Sequence, residues 1–200
     1  MARTDLVIVT GPSGAGKTEI SNTCIGSHSD ELIKFITTTD RELRDTEQEG
    51  RDYYRLTPSL FQQHLQQNKF FEAEEVYENG WYGFSREELK RIQSQRKHAI
   101  AVADVNGALK FLGKKQSGFI DLEGISVKVI YIASRKEDMI ARIRKDIEQG
   151  KRNDSEAKIQ KRIVRMEYEL SQMVHFDNII RNEQGKFEFA LNEFLNRVFY

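Results

Sequence analysis

A glycine-rich segment at residues 11–18 limits the possible folds of this chain more than any other feature. It reads GPSGAGKT and matches the pattern G-x-x-x-x-G-K-[ST]. Glycines let the backbone turn tightly, so that successive N–H groups point inward at a helix N-terminus and form a nest of donors for a phosphate chain. We therefore expect Lys17 to neutralise the outer phosphates and the hydroxyl of Thr18 to hold Mg²⁺. The residues expected to bind the phosphate chain are Gly11, Ser13, Gly14, Ala15, Gly16, Lys17 and Thr18.

The sequence on either side of this loop supports the same interpretation. Residues 6–9 form an apolar run that is typical of a buried strand, whereas Ile20, Cys24 and Ile25 recur at helical spacing after the loop. The order of strand, loop and helix is the one that the motif requires. It predicts an α/β fold of the P-loop NTPase type that binds a nucleoside triphosphate. The alternative, a glycine-rich turn without a ligand, is disfavoured because Lys17 and Thr18 are both present.

Composition narrows the class of protein further. Lys and Arg number 31, and so do Asp and Glu, so the formal net charge is zero. We therefore expect no general affinity for nucleic acid or for an anionic membrane. The single cysteine, Cys24, cannot form an internal disulfide and is expected to be buried in the core. A single unpaired cysteine fits a reducing compartment. The N-terminal apolar run is too short for a signal peptide and no later run approaches a membrane span, so we expect a cytoplasmic protein.

The middle third of the chain, residues 37–96, is expected to form a small mixed subdomain inserted into the parallel core. Its aromatic and turn-rich composition differs from that of the flanking apolar runs. The expected elements are a helix capped by Thr57 with Pro58 in its first turn, a strand at 70–77, a hairpin turn at Asn79-Gly80, a strand at 81–84 and a helix that opens with a Ser85–Glu88 capping box.

The parallel core is expected to resume with an apolar run at 99–103, which ends in Asp104. The carboxyl ends of parallel strands carry the ligands in open α/β sheets, so Asp104 is a candidate for chemistry, although a helix cap is the alternative. Another buried strand is expected at 127–133, followed by a helix capped by Ser134 and Glu137. The last strand is expected at 178–182 and a closing helix at 187–199.

Residues 141–174 are expected to form a helical lid. Two basic helical segments flank a polar loop at 149–155, and such an arrangement suits a lid that closes over phosphates. The apolar residues of the second helix recur at helical spacing and predict a packing face, with a coiled-coil contact as the alternative. Together these features predict one domain over residues 1–200. Its expected parts are a core of 1–36, 97–140 and 175–200, an insertion at 37–96 and a lid at 141–174.

A charged loop at residues 40–52 is ambiguous by itself, because charge runs are usually solvated surface. Read with its neighbours, however, it resembles the guanylate kinases, the nucleoside monophosphate kinases that phosphorylate GMP with ATP. The segments that carry the resemblance, besides the GPSGAGKT loop, are TTTDRELRDTEQEGRDYY, FFEAEEVYENGWYG and DVNG. They include R-x-x-R followed by E-x-x-G-x-D-Y, and the resemblance covers nearly the whole chain.

The resemblance implies a role for each matching residue. Arg41, Arg44, Tyr53 and Tyr82 would hold the phosphate of the acceptor nucleotide, which suits guanidinium and phenol donors. Glu72 would accept from the guanine N1 and N2 hydrogens, Thr37 would donate to O6, and Asp104 would complete recognition of the base amino group. Arg142 and Arg162 would be lid arginines that stabilise the transferring phosphoryl group, and Asn182 would lie near the ATP base. The implied catalytic residues are Lys17, Arg41, Arg142 and Arg162.

The sequence departs from the family pattern at several positions. Phe84 replaces a small hydroxyl residue and Val102 replaces an acid, both near the expected acceptor base; Asp40 and Leu43 replace a threonine and a proline. The lid is also long, so its middle arginine is either Arg144 or Arg152.

The implied activity is Mg²⁺-dependent phosphoryl transfer from ATP to GMP or dGMP, by a monomer or a homodimer. A kinase of another phosphate acceptor and a non-catalytic binding module are the alternatives. Such modules tend to lose the lysine and threonine of the loop, and this chain has both.

Overall fold

The apolar run before the glycine-rich loop forms the central strand of a five-stranded parallel sheet. In this computed structural model, residues 5–76, 80–116, 125–150 and 154–200 are described. The strands are β1 (Asp5–Thr10), β2 (Leu32–Lys34), β3 (Thr37–Thr39), β4 (Tyr53–Arg55), β5 (Phe70–Val76), β6 (Gly80–Ser85), β7 (His98–Val102), β8 (Ser126–Ala133) and β9 (Ile179–Arg181). The α-helices are α1 (Lys17–Ser27), α2 (Pro58–Gln66), α3 (Arg86–Gln95), α4 (Val105–Gln116), α5 (Lys136–Glu148), α6 (Glu156–Ser171) and α7 (Phe187–Phe199).

The parallel sheet has the strand order β2-β7-β1-β8-β9. Strand β1 pairs with β7 on one side and with β8 on the other, with Leu6 opposite both Ala99 and Val127. Two apolar clusters cover the two faces of the sheet, as expected for parallel strands flanked by helices. Cys24 of α1 lies in one of them, and burial raises the pKa of its thiol to about 12. The prediction of an α/β fold with a parallel sheet is thereby confirmed.

A second sheet, of order β4-β3-β6-β5, lies within the segment expected to be inserted. Strands β3 and β4 are parallel, whereas β6 is antiparallel to both β3 and β5, so the sheet is mixed. The Oγ1 of Thr57 accepts from the Leu60 N–H at the start of α2, as predicted. The hairpin turn expected at Asn79-Gly80 lies largely outside the described residues.

Two predicted capping arrangements differ in the structure. The Oγ of Ser85 accepts from the N–H of Glu88, but the Glu88 carboxylate bonds elsewhere and does not complete the expected capping box. Helix α5 is preceded by Arg135 without a side-chain cap, so the prediction of a Ser134–Glu137 cap is wrong. The hydroxyl of Ser134 instead donates to the backbone oxygen of Asn182, because the end of β8 lies beside β9.

The Glu88 carboxylate joins α3 to the short connection between the two sheets. Its side chain is 1% exposed, and its Oε1 accepts from the N–H of Ile36 at 2.8 Å. The Nε and Nη2 atoms of Arg91 each donate to this carboxylate at 2.7 Å. Arg91 also donates to the Lys34 oxygen at the end of β2. One buried carboxylate thus satisfies a backbone donor that neither sheet can pair.

We predict that Glu88→Ala lowers the free energy of unfolding by about 2 kcal/mol, because it leaves the buried Ile36 N–H without an acceptor. Chemical denaturation of the purified variant would measure the change. The matched control is Glu87→Ala, since Glu87 is the exposed neighbour in the same helical turn. Equal stability of the two variants would contradict the prediction.

Candidate active site

A cavity of about 1200 Å³ lies between the glycine-rich loop, the second sheet and helix α6. It brings together most of the residues that the sequence singled out. Those that line it are Gly11, Ser13, Lys17, Thr37, Arg41, Arg44, Tyr53, Glu72, Tyr82, Asp104 and Arg162. The remaining candidates lie outside its lining, and they are Gly14, Ala15, Gly16, Thr18, Arg142 and Asn182. The second group lies in and around the loop itself.

The loop backbone packs closely against strand β8 and helix α5. Gly11 has φ 132°, and a Cβ atom there would lie 2.1 Å from the backbone oxygen of Ile132. A Cβ on Gly14, which has φ 80°, would lie 2.6 Å from the oxygen of Met139. Any other residue would collide with backbone at these two positions, so the glycines serve both the turn and the close approach.

Lys17 begins helix α1 and folds back over the loop. Its Nζ donates to the backbone oxygens of Gly11 at 2.6 Å and Pro12 at 2.8 Å. Thr18 is exposed in the first turn of the same helix. A single hydroxyl suits Mg²⁺, which usually takes few protein ligands and keeps its phosphate and water ligands. The described residues contain no cluster of acids, His or Cys that could hold a metal by itself.

Asn182 and Arg142 bond to backbone oxygens of the loop from outside the cavity lining. The Nδ2 of Asn182, a residue only 2% exposed, donates to the oxygen of Ala15 at 2.9 Å. Arg142 donates from Nη1 to the Gly14 oxygen at 3.2 Å and from Nη2 to the Asn182 oxygen at 2.8 Å. The Oδ1 of Asn182 has no hydrogen-bond partner among the described residues, so it is a buried acceptor next to the loop.

At the other end of the cavity, Arg41 is the centre of an aromatic and acidic cluster. Its Nε donates to the hydroxyl of Tyr82 at 2.7 Å, and its Cζ lies 4.9 Å from the ring centroid of Tyr53. Its Nη1 and Nη2 donate to the two carboxylate oxygens of Glu47 at 2.7 and 2.8 Å. Arg44 completes the cluster, with its Nη1 at 3.7 Å from Glu47 Oε1. Glu47 was not among the residues expected from the sequence to bind a ligand.

The ion pair shifts the pKa values of both partners. Burial lowers the pKa of Arg41, but the hydrogen bond to Glu47 and the nearby Tyr82 raise it more, so that its net pKa is raised. Burial raises the pKa of Glu47, whereas hydrogen bonds from Arg41 and from the Arg44 N–H lower it more, so that its net pKa is lowered. Both side chains therefore stay charged near neutral pH.

Carboxylates and apolar side chains line the cavity beyond this cluster. Glu72 and Thr37 are nearly buried, with 5% and 6% exposure, and Glu74 follows on the same strand. The Oδ1 of Asp104 accepts from the N–H groups of Asn106 and Gly107, so Asp104 both caps α4 and lines the cavity. The two interpretations made from the sequence are therefore compatible.

Phe84 belongs to the hydrophobic core as much as to the cavity. It is 5% exposed, and its ring centroid lies 5.1 Å from that of Phe35 and 5.0 Å from that of Phe111. Val102 also lines the cavity. The ring of Phe84 thus belongs to the core cluster on one face of the parallel sheet. An ion pair joins Glu74 of β5 to Lys110 of α4.

Helix α6 turns a basic face toward the cavity. Residues Lys158, Lys161, Arg162 and Arg165 all line it. Arg162 donates to Asp154 at 3.0 Å and Arg165 to Glu169 at 2.8 Å. Ile159 and Met166 of the apolar stripe are buried on the other side, as a packing face predicts. Arg144 is exposed and does not line the cavity, and Arg152 lies outside the described residues.

Several cavity residues were missed by sequence reasoning. Glu47 occupies the first position of the E-x-x-G-x-D-Y pattern, so the motif contained a signal for it. Tyr168 of α6 donates to Asn106 of α4 at 3.0 Å, and Glu74 pairs with Lys110. These two contacts join residues far apart in the sequence, and no local pattern indicates them.

Comparison with known proteins places the chain in a family. The model of the guanylate kinase family matches residues 3–197. The guanylate kinase of Bacteroides thetaiotaomicron is 30% identical over 201 residues, which cover 96% of this chain and 90% of that protein. The guanylate kinase of Porphyromonas gingivalis is 38% identical over 105 residues, which cover 52% of this chain and 56% of that protein.

A solved structure shares the fold. The crystal structure of guanylate kinase from Anaplasma phagocytophilum aligns with a TM-score of 0.70 and 21% sequence identity, covering 98% of this chain and 85% of that chain. The resemblance noted in the sequence is thus confirmed by a family match over nearly the whole chain and by a relative aligned over most of its length. The chain therefore belongs to the guanylate kinase family.

Proposed function

We propose that this chain transfers the γ-phosphoryl group of ATP to GMP or dGMP, giving GDP or dGDP. The observation that carries the proposal is that one cavity contains the loop lysine, Lys17, at one end and the Arg41–Tyr53–Tyr82 cluster at the other. The first is suited to a triphosphate and the second to a separate phosphate monoester. Two anion sites in one cavity are what a transfer between two nucleotides requires.

The donor nucleotide would bind at the glycine-rich loop. The loop N–H groups and the start of α1 favour the phosphate chain, and Lys17 exchanges its two backbone acceptors for phosphate oxygens. Thr18 would hold Mg²⁺ by its hydroxyl, and the ion would offset the charge of the outer phosphates. Asn182, whose Nδ2 bonds the loop at Ala15, would lie near the ATP base.

The acceptor nucleotide would bind against the second sheet, and we propose that residues 37–96 form this acceptor-binding insertion. Arg41, Arg44, Tyr53 and Tyr82 would donate to the monophosphate. The two oxygens of Glu72 would accept from the N1 and N2 hydrogens of guanine, with Thr37 donating to O6 and Asp104 at the amino group. Adenine lacks this pair of donors, so Glu72 favours guanine.

The chain needs no general base for the transfer, because the attacking phosphate oxygen is already anionic. Its task is to align two polyanions and to neutralise charge as the phosphoryl group moves. Lys17, Arg41, Arg142 and Arg162 are the proposed catalytic residues. Residues 141–174 are the proposed lid, and closure of the basic face of α6 would exclude water and limit hydrolysis of ATP.

The cellular setting follows from the same features. We expect a cytoplasmic enzyme that acts as a monomer or homodimer. Because its formal net charge is zero, we expect it to bind neither nucleic acid nor membrane. No helix among the described residues is long and apolar enough to cross a membrane.

A second acceptor is the specific alternative, because Phe84 and Val102 make part of the base pocket apolar. A coupled assay of ATP with GMP, dGMP, AMP, CMP and UMP distinguishes the two. We expect turnover with GMP and dGMP only. Turnover with another monophosphate at equal efficiency would favour the alternative, and tight ATP binding without any turnover would favour a non-catalytic module.

We predict that Lys17→Ala keeps the fold and loses about 10²-fold or more in kcat, because it removes a cation that stabilises the transferring phosphoryl group. The coupled assay measures kcat, and thermal unfolding checks the fold. Lys90→Ala is the control, since Lys90 is exposed on α3 outside the cavity. Undiminished activity of Lys17→Ala would refute the assignment of the loop.

We predict that Glu72→Gln raises the KM for GMP by about 10- to 100-fold, because an amide offers one acceptor where guanine presents two donors. The KM for ATP should change little. Glu75→Gln is a matched control on the same strand, since Glu75 is exposed. If both variants bound GMP like the wild type, Glu72 would not contact the base.

A further inference from the structure

The carboxylate of Glu47 contacts both arginines that are proposed to hold the acceptor phosphate. Besides its two bonds from Arg41, it accepts from the backbone N–H of Arg44 at 2.9 Å. The backbone N–H of Glu47 donates to the Arg44 oxygen at 2.9 Å, so a turn fixes the residue. Glu47 therefore has a defined position before any ligand binds.

Arg41 is held tightly by hydrogen bonds within the chain. A guanidinium group has five N–H donors. Its Nε donates to Tyr82, Nη1 donates to Glu47 and to the backbone oxygen of Glu42 at 2.7 Å, and Nη2 donates to Glu47. Four donors are thus used within the chain. Rotation of the guanidinium would break several charge-assisted bonds together.

The side chains of Arg41 and Arg44 differ in how far they can move. The side chains of Arg41 and Glu47 are each 13% exposed, whereas that of Arg44 is 48% exposed. Arg44 can therefore move toward a ligand, whereas Arg41 must keep its present position if the nearly buried Glu47 carboxylate is to keep both bonds from that guanidinium.

The hydrogen bond from Arg41 orients the hydroxyl group of Tyr82. Its hydroxyl oxygen accepts from Arg41, so its own proton is available to donate elsewhere. Tyr82 lines the cavity, as does Tyr53, whose ring lies against Arg41. An acceptor phosphate that enters beside Arg41 would thus meet a phenol donor already oriented toward it.

We propose that Glu47 is the positioning residue of the acceptor-phosphate site. Its carboxylate stays in place when the nucleotide binds, and it holds Arg41 so that Tyr82 donates its hydroxyl proton to the phosphate. This inference rests on the proposed function, because it assumes a nucleoside monophosphate in the cavity. It assigns Glu47 a role in binding the acceptor only, with no contact to ATP.

The test is Glu47→Gln, which keeps the shape of the side chain and removes its charge. We expect the KM for GMP to rise about tenfold or more, which corresponds to one lost charge-assisted hydrogen bond, while the KM for ATP stays within about twofold of the wild type. Calorimetric titration with GMP alone should show the same loss. Glu47→Asp, which retains the charge, should recover part of the affinity.

Glu49→Gln is the matched control, because Glu49 lies in the same loop and accepts only from the backbone N–H of Arg55 among the described contacts. It should bind GMP like the wild type. A purely structural role for Glu47 would lower the unfolding midpoint and raise both KM values together, and that result would overturn the proposal. A Glu47→Gln variant that binds GMP as well as, or more tightly than, the wild type would also overturn it.

The wild-type protein in the same assay separates this proposal from the proposed function. Turnover of GMP by the wild type with no selective effect of Glu47→Gln refutes the role of Glu47 alone. Absence of GMP binding and turnover in the wild type refutes both. If Glu47→Gln does not fold, the KM values of Glu47→Asp decide, and a Glu47→Asp variant with wild-type KM for GMP refutes the proposal.

Discussion

The close contact between the glycine-rich loop and the end of strand β8 is the constraint on which the site depends. Gly11 approaches the oxygen of Ile132 so closely that no side chain fits between them. Asn182 and Arg142 then fasten the loop to the end of β9 and to α5. Because the loop cannot shift relative to the sheet, the start of α1 points in one fixed direction. The position of the cavity follows from that direction.

Electrostatic pairing inside the cavity explains how a chain of zero net charge can suit two polyanions. Several cations of the lining have an acidic partner, as in the pairs Arg41–Glu47, Arg162–Asp154 and Arg165–Glu169. A nucleotide must compete with these carboxylates for the N–H donors of the arginines, or bind to the donors that the carboxylates do not use. Such pairing keeps the cations ordered, and the cost of ordering them is met during folding.

Elements with a strong local pattern could be predicted from the sequence, and contacts between distant elements could not. Helix α7 has the predicted bounds because its apolar residues recur at helical spacing. The loop residues follow from one motif. The cap predicted at Ser134 failed, because Arg135 precedes the first turn of α5 and the Ser134 hydroxyl donates to the backbone oxygen of Asn182, 48 residues further along the chain. The burial of Phe84 likewise depends on Phe35 and Phe111, which only the folded sheets bring together.

The position of Glu88 bears on how the molecule can move. Only Phe35 and Ile36 separate β2 of the parallel sheet from β3 of the mixed sheet, and Glu88 holds Ile36 while its helix α3 leads back to β7. The chain crosses between the two sheets twice, once at residues 35–36 and once through α3, and the Glu88 carboxylate lies at both crossings. A rigid-body rotation of the mixed sheet would have its axis there, since backbone at the axis moves least. Arg41, which follows β3, would move with that sheet relative to Lys17.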